Sequence, residues 1–232
     1  MEQRYDVVLF DADNTLFDFD AAEAQALDLT LAEYGYPVDD KSRNCYLAVN
    51  RDLWARFDRG EVKREWLVVE RFAALQRALG GHHDPAEMNT FYLARLAEAG
   101  CLLPGAEALC RALVPTCTLA IVTNGVASAQ RGRFDRSPLK ELIPWLFISE
   151  EVGYQKPQRQ FFDAVLSAMS LPQSARIVVV GDSLTADILG AVNAGLDSIW
   201  YNPNGLPGRP DIVPTFEARS FDQVLHLIVG GV

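Results

Sequence analysis

The sequence predicts a doubly wound parallel α/β domain carrying a helical insert after its first strand. Short, near-continuous apolar runs recur along the chain, as strands buried on both faces of a parallel sheet require. Between them lie stretches with apolar residues at three- and four-residue spacing, the pattern of helices with one buried face. The first run and the second are separated by more than about 100 residues without a convincing strand, too long for a structureless loop.

In chain order, residues 5–10 (YDVVLF) form the first strand. Helices follow over 21–34, with Asp20 as N-cap and Glu23 at N3, over 42–57, and over 63–79, stopped by Gly80. A fourth starts at the N-cap Asp84, has Pro85 at N1 and Glu87 at N3, and ends at Gly100. The insert is therefore placed at 17–81, on a core of residues 1–16 and 82–232, with the fourth helix returning the chain to the sheet. Helix 105–114 and strand 118–122 (TLAIV) come next, then helix 126–134, strand 145–148 (WLFI), helix 158–169 and strand 176–180 (RIVVV). Helix 185–194, stopped by Gly195, leads to strand 197–200. The Pro- and Gly-rich stretch 201–214 is expected to be a surface loop before a short C-terminal strand and helix.

Twenty-one Lys and Arg against 31 Asp and Glu leave a net charge of −10. That argues against a nucleic-acid polymer or an anionic membrane as partner, since both need a basic face. No apolar stretch approaches the roughly 18–20 residues of a membrane span. The N-terminal apolar run is short and bracketed by acids, unlike a signal peptide. Cys45, Cys101, Cys110 and Cys117 show no CxxC and no histidine at zinc spacing, so reduced, buried thiols are expected. A cytoplasmic protein with a small-molecule partner follows, and both a monomer and a homodimer fit.

Ligands of such sheets bind at the carboxyl ends of the strands. The residues there are Asp11-Ala12-Asp13-Asn14-Thr15, Thr123-Asn124-Gly125, Lys156-Pro157 and Gly181-Asp182-Ser183, with Asp187 five residues beyond Asp182. Asp11, Asp13, Asp182 and Asp187 would crowd one rim with like charges, which a cation must hold together. Hard oxygen donors without histidine suit Mg²⁺. Phosphoryl transfer gives every piece a role: one carboxylate as nucleophile, a second as acid and base, a hydroxyl and a lysine on the phosphate. Asp187 also fits a first-turn helix acid, and Ser183 a turn residue.

DADNT, VTNG, Lys156-Pro157 and GDSLTAD, in that order and each at a strand end, resemble the four motifs of the haloacid dehalogenase (HAD) superfamily. The resemblance covers the whole chain and implies a Rossmann-like core with a type-1 helical cap. It implies Asp11 as nucleophile, Asp13 as general acid and base, and Thr123 with the Asn124 backbone N–H on the phosphoryl oxygens. Lys156 would bridge phosphate and Asp11. Asp11, Asp182 and the carbonyl of Asp13 would hold Mg²⁺ (or Mn²⁺), with Asp187 in the outer shell. The second acid of DADNT favours a phosphatase over a dehalogenase.

FDADNTLFDFD, AVNRDLW, ISEEVGYQKP and GDSLTADILGAVNAGL further resemble the bacterial YjjG-type pyrimidine 5′-nucleotidases. That implies dUMP, dTMP, UMP and noncanonical pyrimidine nucleotides as substrates. Another small phosphatase, acting on phosphoglycolate or a sugar phosphate, and a non-catalytic regulator are the alternatives. Arg136-Ser137-Pro138-Leu139 replaces the Ser/Thr-Gly-Leu turn of many relatives. Phe17, Phe19, Asn50, Trp54 and Phe57 are candidates for contact with the base, although Trp54 and Phe57 also have the spacing of a helix core. His82-His83 reads as a solvated loop, and Arg131, Arg133 and Arg136 as a solvated helix face.

Overall fold

The computed structural model describes residues 4–230. The chain divides into two compact units, one of residues up to Phe19 with those from Gly100 on, the other Asp20–Ala99.

The first unit is built on a six-stranded parallel sheet: β1 (Val7–Phe10), β2 (Thr118–Thr123), β3 (Trp145–Ile148), β4 (Ile177–Gly181), β5 (Asp197–Tyr201) and β6 (Phe216–Ala218). Their order is β3-β2-β1-β4-β5-β6. The central β1 pairs with β2 (Val7↔Thr118) and with β4 (Val7↔Ile177). Helices α5 (Ala106–Leu113), α6 (Ala127–Asp135), α7 (Ser149–Val152), α8 (Arg159–Met169), α9 (Leu189–Ala194) and α10 (Phe221–Val229) complete it.

Alternate residues of each strand face opposite ways. Val8, Phe10, Leu119, Ile121, Val178 and Val180 pack on Leu109 and Leu113 of α5 and Val224 and Ile228 of α10. Val7, Leu9, Ala120, Val122 and Val179 pack on Phe161, Phe162 and Val165 of α8 and Ala191 of α9. Both faces are covered, which is why the strands are apolar at successive positions and not only at alternate ones. The Pro138 departure is absorbed in a short 3-10 turn, Pro138–Glu141, that buries Leu139.

The stretch expected as one helix, 185–194, is two pieces. Leu184–Ile188 is a π-helical turn, and α9 follows. The N–H groups of Asp187 and Ile188 both reach the Ser183 carbonyl, and the Ser183 hydroxyl accepts from Ala186 N at 3.1 Å. The widened turn follows the carboxyl end of β4, the side of such sheets on which ligands bind. Gly195 ends α9 at φ 72°, as its position in the sequence suggests.

The second unit holds α1 (Phe19–Glu33) beyond its first residue, α2 (Asp40–Asp58), α3 (Arg64–Leu79) and α4 (Pro85–Glu98). Asp39 caps α2 through Ser42 N, and Asp84 caps α4 through Ala86 N, each at 2.8 Å. The fourth helix packs against α3 and so lies in this unit, whereas the sequence expectation placed it with the sheet. A polar chain threads its interior. Asn50 Nδ2 donates to Glu23 Oε1 (2.8 Å), and Arg71 donates to Asn50 Oδ1 (3.4 Å) and Asn89 Oδ1 (2.7 Å). The Arg71 guanidinium lies 4.5 Å from the Tyr92 ring centroid.

Two segments of the first unit bracket the insert. Asp18 N donates to Cys101 O at 3.1 Å, Leu103 N to Leu16 O at 2.9 Å, and Phe17 bridges Leu102. All four cysteines are free. Cys110 and Cys117 are buried as expected, but Cys45 is half-buried and Cys101, in one of these bracketing segments, is exposed. Among the described residues no helix is long and apolar enough to cross a membrane.

Candidate active site

The strand order reverses around β1, and the chain leaves β1, β2 and β4 at one edge of the sheet. The loop after β1 is a tight turn. Leu16 N and Phe17 N both return to Ala12 O, Asn14 N donates to Phe17 O, and Asn14 sits at φ 57°, a left-handed conformation that Asn tolerates better than most residues. Thr15, fully buried, accepts from Asp182 N at 3.1 Å and so ties the β1 loop to the β4 loop. The Trp200 indole donates to the Asp182 carbonyl at 2.8 Å.

Lys156 is the hub. Its ammonium donates to Asp11 Oδ1 (2.6 Å), Asp187 Oδ1 (2.6 Å) and the Val122 carbonyl (2.8 Å), at 2% exposure. All three hydrogens are thus spent in fixed directions. The Asn124 carboxamide holds the Lys156 backbone, accepting from its N–H and donating to its carbonyl, each at 2.9 Å. Asp187 Oδ2 accepts from Ser183 N at 3.0 Å, so both Asp187 oxygens are occupied. Thr123 Oγ1 accepts from Gly125 N at 3.1 Å, which leaves the hydroxyl hydrogen to donate.

Asp11, Asp182 and Asp187 bring carboxylate oxygens within 4.8 Å of one another. Burial drives the Asp11 carboxyl up to about 7; Lys156 opposes the rise, and Asp187 and Asp13 add to it. Burial, then Asp11 and Asp187, push Asp182 well above the usual carboxylate range. Burial pulls the Lys156 ammonium down, but Asp11 and Asp187 outweigh it and hold the pKa above its ordinary value.

This donor set fits a divalent cation. Three carboxylates face one ammonium, and the two negative charges left over equal the charge of one such ion. The donors are hard oxygens, suited to Mg²⁺ or Mn²⁺. Asp11 Oδ2 and the Asp182 carboxylate have no hydrogen-bond partner among the described residues, whereas Asp187 is fully engaged.

Asp13 stands apart from this cluster. Its Oδ1 accepts from Arg133 Nη1 at 2.6 Å and its Oδ2 from Gln130 Nε2 at 2.7 Å. Arg133 is 1% exposed, so the expected solvated face of Arg131, Arg133 and Arg136 is corrected: Arg131 and Arg136 are exposed, but Arg133 turns inward. Gln130 is not among the residues the sequence points to, and neither the contact of Arg133 with Asp13 nor the tie made by Thr15 is legible there. One signal for the first two lies in α6 (ASAQRGRFD), which is short of apolar residues, so the face it buries has to include polar side chains.

The aromatic candidates divide. Phe17 (1% exposed) belongs to the sheet-side core and Phe57 (3%) is buried in the helical unit, so neither offers a free face for stacking. Asn50 is 5% exposed, and both ends of its amide are committed to Glu23 and Arg71. Phe19 and Trp54 remain partly exposed.

A parallel sheet with a lysine-bridged carboxylate cluster at one edge and a helical insert after β1 defines a class of hydrolase. Residues 5–195 match the haloacid dehalogenase-like hydrolases, and the chain belongs to that family. It is 36% identical to Pyrimidine 5′-nucleotidase PynA of Streptococcus pneumoniae, over 97% of this chain and 95% of that protein. It is 32% identical to Pyrimidine 5′-nucleotidase YjjG of Escherichia coli, over 97% and 98%. The crystal structure of the HAD-hydrolase YfnB from Bacillus subtilis, bound to magnesium, superposes with a TM-score of 0.91 at 38% identity, covering 97% of this chain and 99% of that one.

Proposed function

We propose that this hydrolase is a phosphomonoesterase that works through an aspartyl phosphate on Asp11, with a pyrimidine nucleoside 5′-monophosphate as substrate. The observation that carries the reading is the state of Asp11: one oxygen fixed by the buried Lys156 ammonium, the other without a hydrogen-bond partner among the described residues. A carboxylate held in this way is an oriented nucleophile.

In the first half-reaction Asp11 attacks phosphorus. The bond from phosphorus to the ester oxygen breaks, its electron pair stays on that oxygen, and Asp13 supplies the proton that makes it an alcohol. In the second, Asp13 takes a proton from water, the water oxygen attacks phosphorus, and the bond to Asp11 breaks to release phosphate. The Thr123 hydroxyl, with the Asn124 N–H, holds the phosphoryl oxygens, and the Lys156 ammonium, whose three hydrogens go to Asp11, Asp187 and the Val122 carbonyl, adds its positive charge beside them. Asp11, Asp182 and the carbonyl of Asp13 would hold Mg²⁺ or Mn²⁺, which supplies charge neutralisation at the transferring group. Asp187 serves by anchoring Lys156.

The nucleotide assignment is supported by two nearly full-length relatives that carry the name pyrimidine 5′-nucleotidase. Base selectivity is assigned to the helical unit, with Trp54 as the aromatic candidate there. The four free thiols support a reducing, cytoplasmic setting.

Asp11→Asn should abolish turnover while leaving the circular dichroism spectrum unchanged. EDTA should silence the native enzyme, and added Mg²⁺ should restore it. kcat/KM should be higher for dUMP, dTMP and UMP than for phosphoglycolate and glucose 6-phosphate. Normal turnover by Asp11→Asn removes the mechanism, and equal, low rates on every ester remove the nucleotide assignment.

A further inference from the structure

We propose that Gln130 and Arg133 are positioning residues that clamp Asp13, fixing the direction from which it protonates the departing oxygen; this rests on Asp13 being the acid, as above. Both carboxylate oxygens are taken, Oδ1 by Arg133 Nη1 (2.6 Å) and Oδ2 by Gln130 Nε2 (2.7 Å). The two donors lie three residues apart on α6, hence on one helix face.

Three features indicate a built device. Arg133 is 1% exposed, yet its Nε and Nη2 have no hydrogen-bond partner among the described residues. A buried cation with donors unspent is costly to keep, and its one strong, charge-assisted bond goes to Asp13. Its guanidinium lies against two rings, 4.9 Å from the Phe17 centroid and 5.5 Å from that of Phe19. These two rings, which the sequence offers for stacking a base, flank the arginine. Finally, Gln130 reaches Asp13 across Gly125. A Cβ at Gly125 would overlap the Gln130 carboxamide, and Gly125 has no positive φ, so the glycine is needed there for space and not for backbone freedom.

Asp11 and Asp13 leave the same strand two residues apart and would otherwise compete for the same cation. Lys156 takes Asp11 and Arg133 takes Asp13, from different elements, so each carboxylate is held to its own direction. The clamp therefore matters most where the leaving group needs a proton.

That dependence supplies the test. kcat/KM, which reports the first half-reaction, is measured on p-nitrophenyl phosphate and on the fastest alkyl ester among dUMP, phosphoglycolate and glucose 6-phosphate. p-Nitrophenolate departs without an acid, whereas an alkoxide does not. Arg133→Met and Gly125→Ala should lose about 10- to 100-fold on the alkyl ester but under about threefold on p-nitrophenyl phosphate, a fraction of the full effect of a general acid. Arg133→Lys should recover part of the loss. Gly125→Ala displaces the Gln130 side chain from Cγ outward and keeps the test open if Arg133→Met does not fold. Asp13→Asn sets the scale and should show the same selectivity, more strongly. If Asp13→Asn is selective but the other two variants lose equally on both esters, or lose nothing, the clamp is overturned and the acid stands. If Asp13→Asn itself loses equally on both, the acid assignment falls.

Discussion

Replacing the nucleophile should make the metal-free protein more stable. Asp11 is 7% exposed, and burial raises its carboxyl from 3.8 to about 7. A raised acid stabilises the fold fully below its unfolded pKa, and that contribution is lost as pH rises to the folded value. The window therefore runs from about 3.8 to about 7, at about 1.4 kcal/mol per pH unit, so the ionised group costs about 4 kcal/mol at pH 8. Asn is neutral and of the same shape, so Asp11→Asn should behave as the protonated form at every pH. For a chain of this size, 1 kcal/mol moves Tm by about 2–4 °C. In EDTA, Asp11→Asn should raise Tm of the sheet unit by about 8–16 °C at pH 8, and by less than half that at pH 5. Differential scanning calorimetry at the two pH values measures it. Saturating Mg²⁺ should close the gap from the other side, because the ion binds the ionised wild-type cluster. A variant no more stable than wild type at pH 8 in EDTA, or a gap that does not change with pH, refutes the reasoning.

Lys156→Met should lower activity by about 10³-fold or more, and urea unfolding should show a loss of about 3–5 kcal/mol, because Asp11 and Asp187 are left buried without their cation. Gly181→Ala should cost about 100-fold in kcat/KM without altering a reacting group: its Cβ would overlap the Asp187 carboxylate and shift the anchor of Lys156. Arg71→Met should destabilise the helical unit by about 2–4 kcal/mol by leaving the buried Asn50 and Asn89 carboxamide oxygens without their donor; a separate, earlier calorimetric transition would report it.

The strands were legible because both sheet faces are covered, so VVLF, TLAIV and RIVVV carry an apolar residue at nearly every position. Their ends were less so: Thr123, Gly181 and Tyr201 continue strands that the apolar runs end sooner. The acids and Lys156 were legible as chemistry because they follow strands, where an α/β sheet opens. Asp187 could be located but its geometry could not, since the π-helical turn that aims it depends on the Ser183 carbonyl and hydroxyl. Gln130 and Arg133 were hidden for a related reason. Local pattern does not separate a polar helix face turned to solvent from one turned to a carboxylate 120 residues away in the chain. Asn50 shows the converse: its residue type suggested base recognition, but a buried arginine and glutamate had already claimed it.

The paired segments around Phe17 and Leu102 have a consequence for how the sheet is assembled. Because the chain leaves and re-enters the sheet unit side by side, the helical unit spans almost no distance as seen from β1 and β2. Closing an open loop of about 80 residues costs about 2 kcal/mol more in chain entropy than closing a turn of about five. A helical unit that folds on its own would remove most of that difference before β1 meets β2. The same arrangement makes this point in the chain a socket: a short turn, or another domain whose ends lie close together, could occupy it without asking the sheet to change its register.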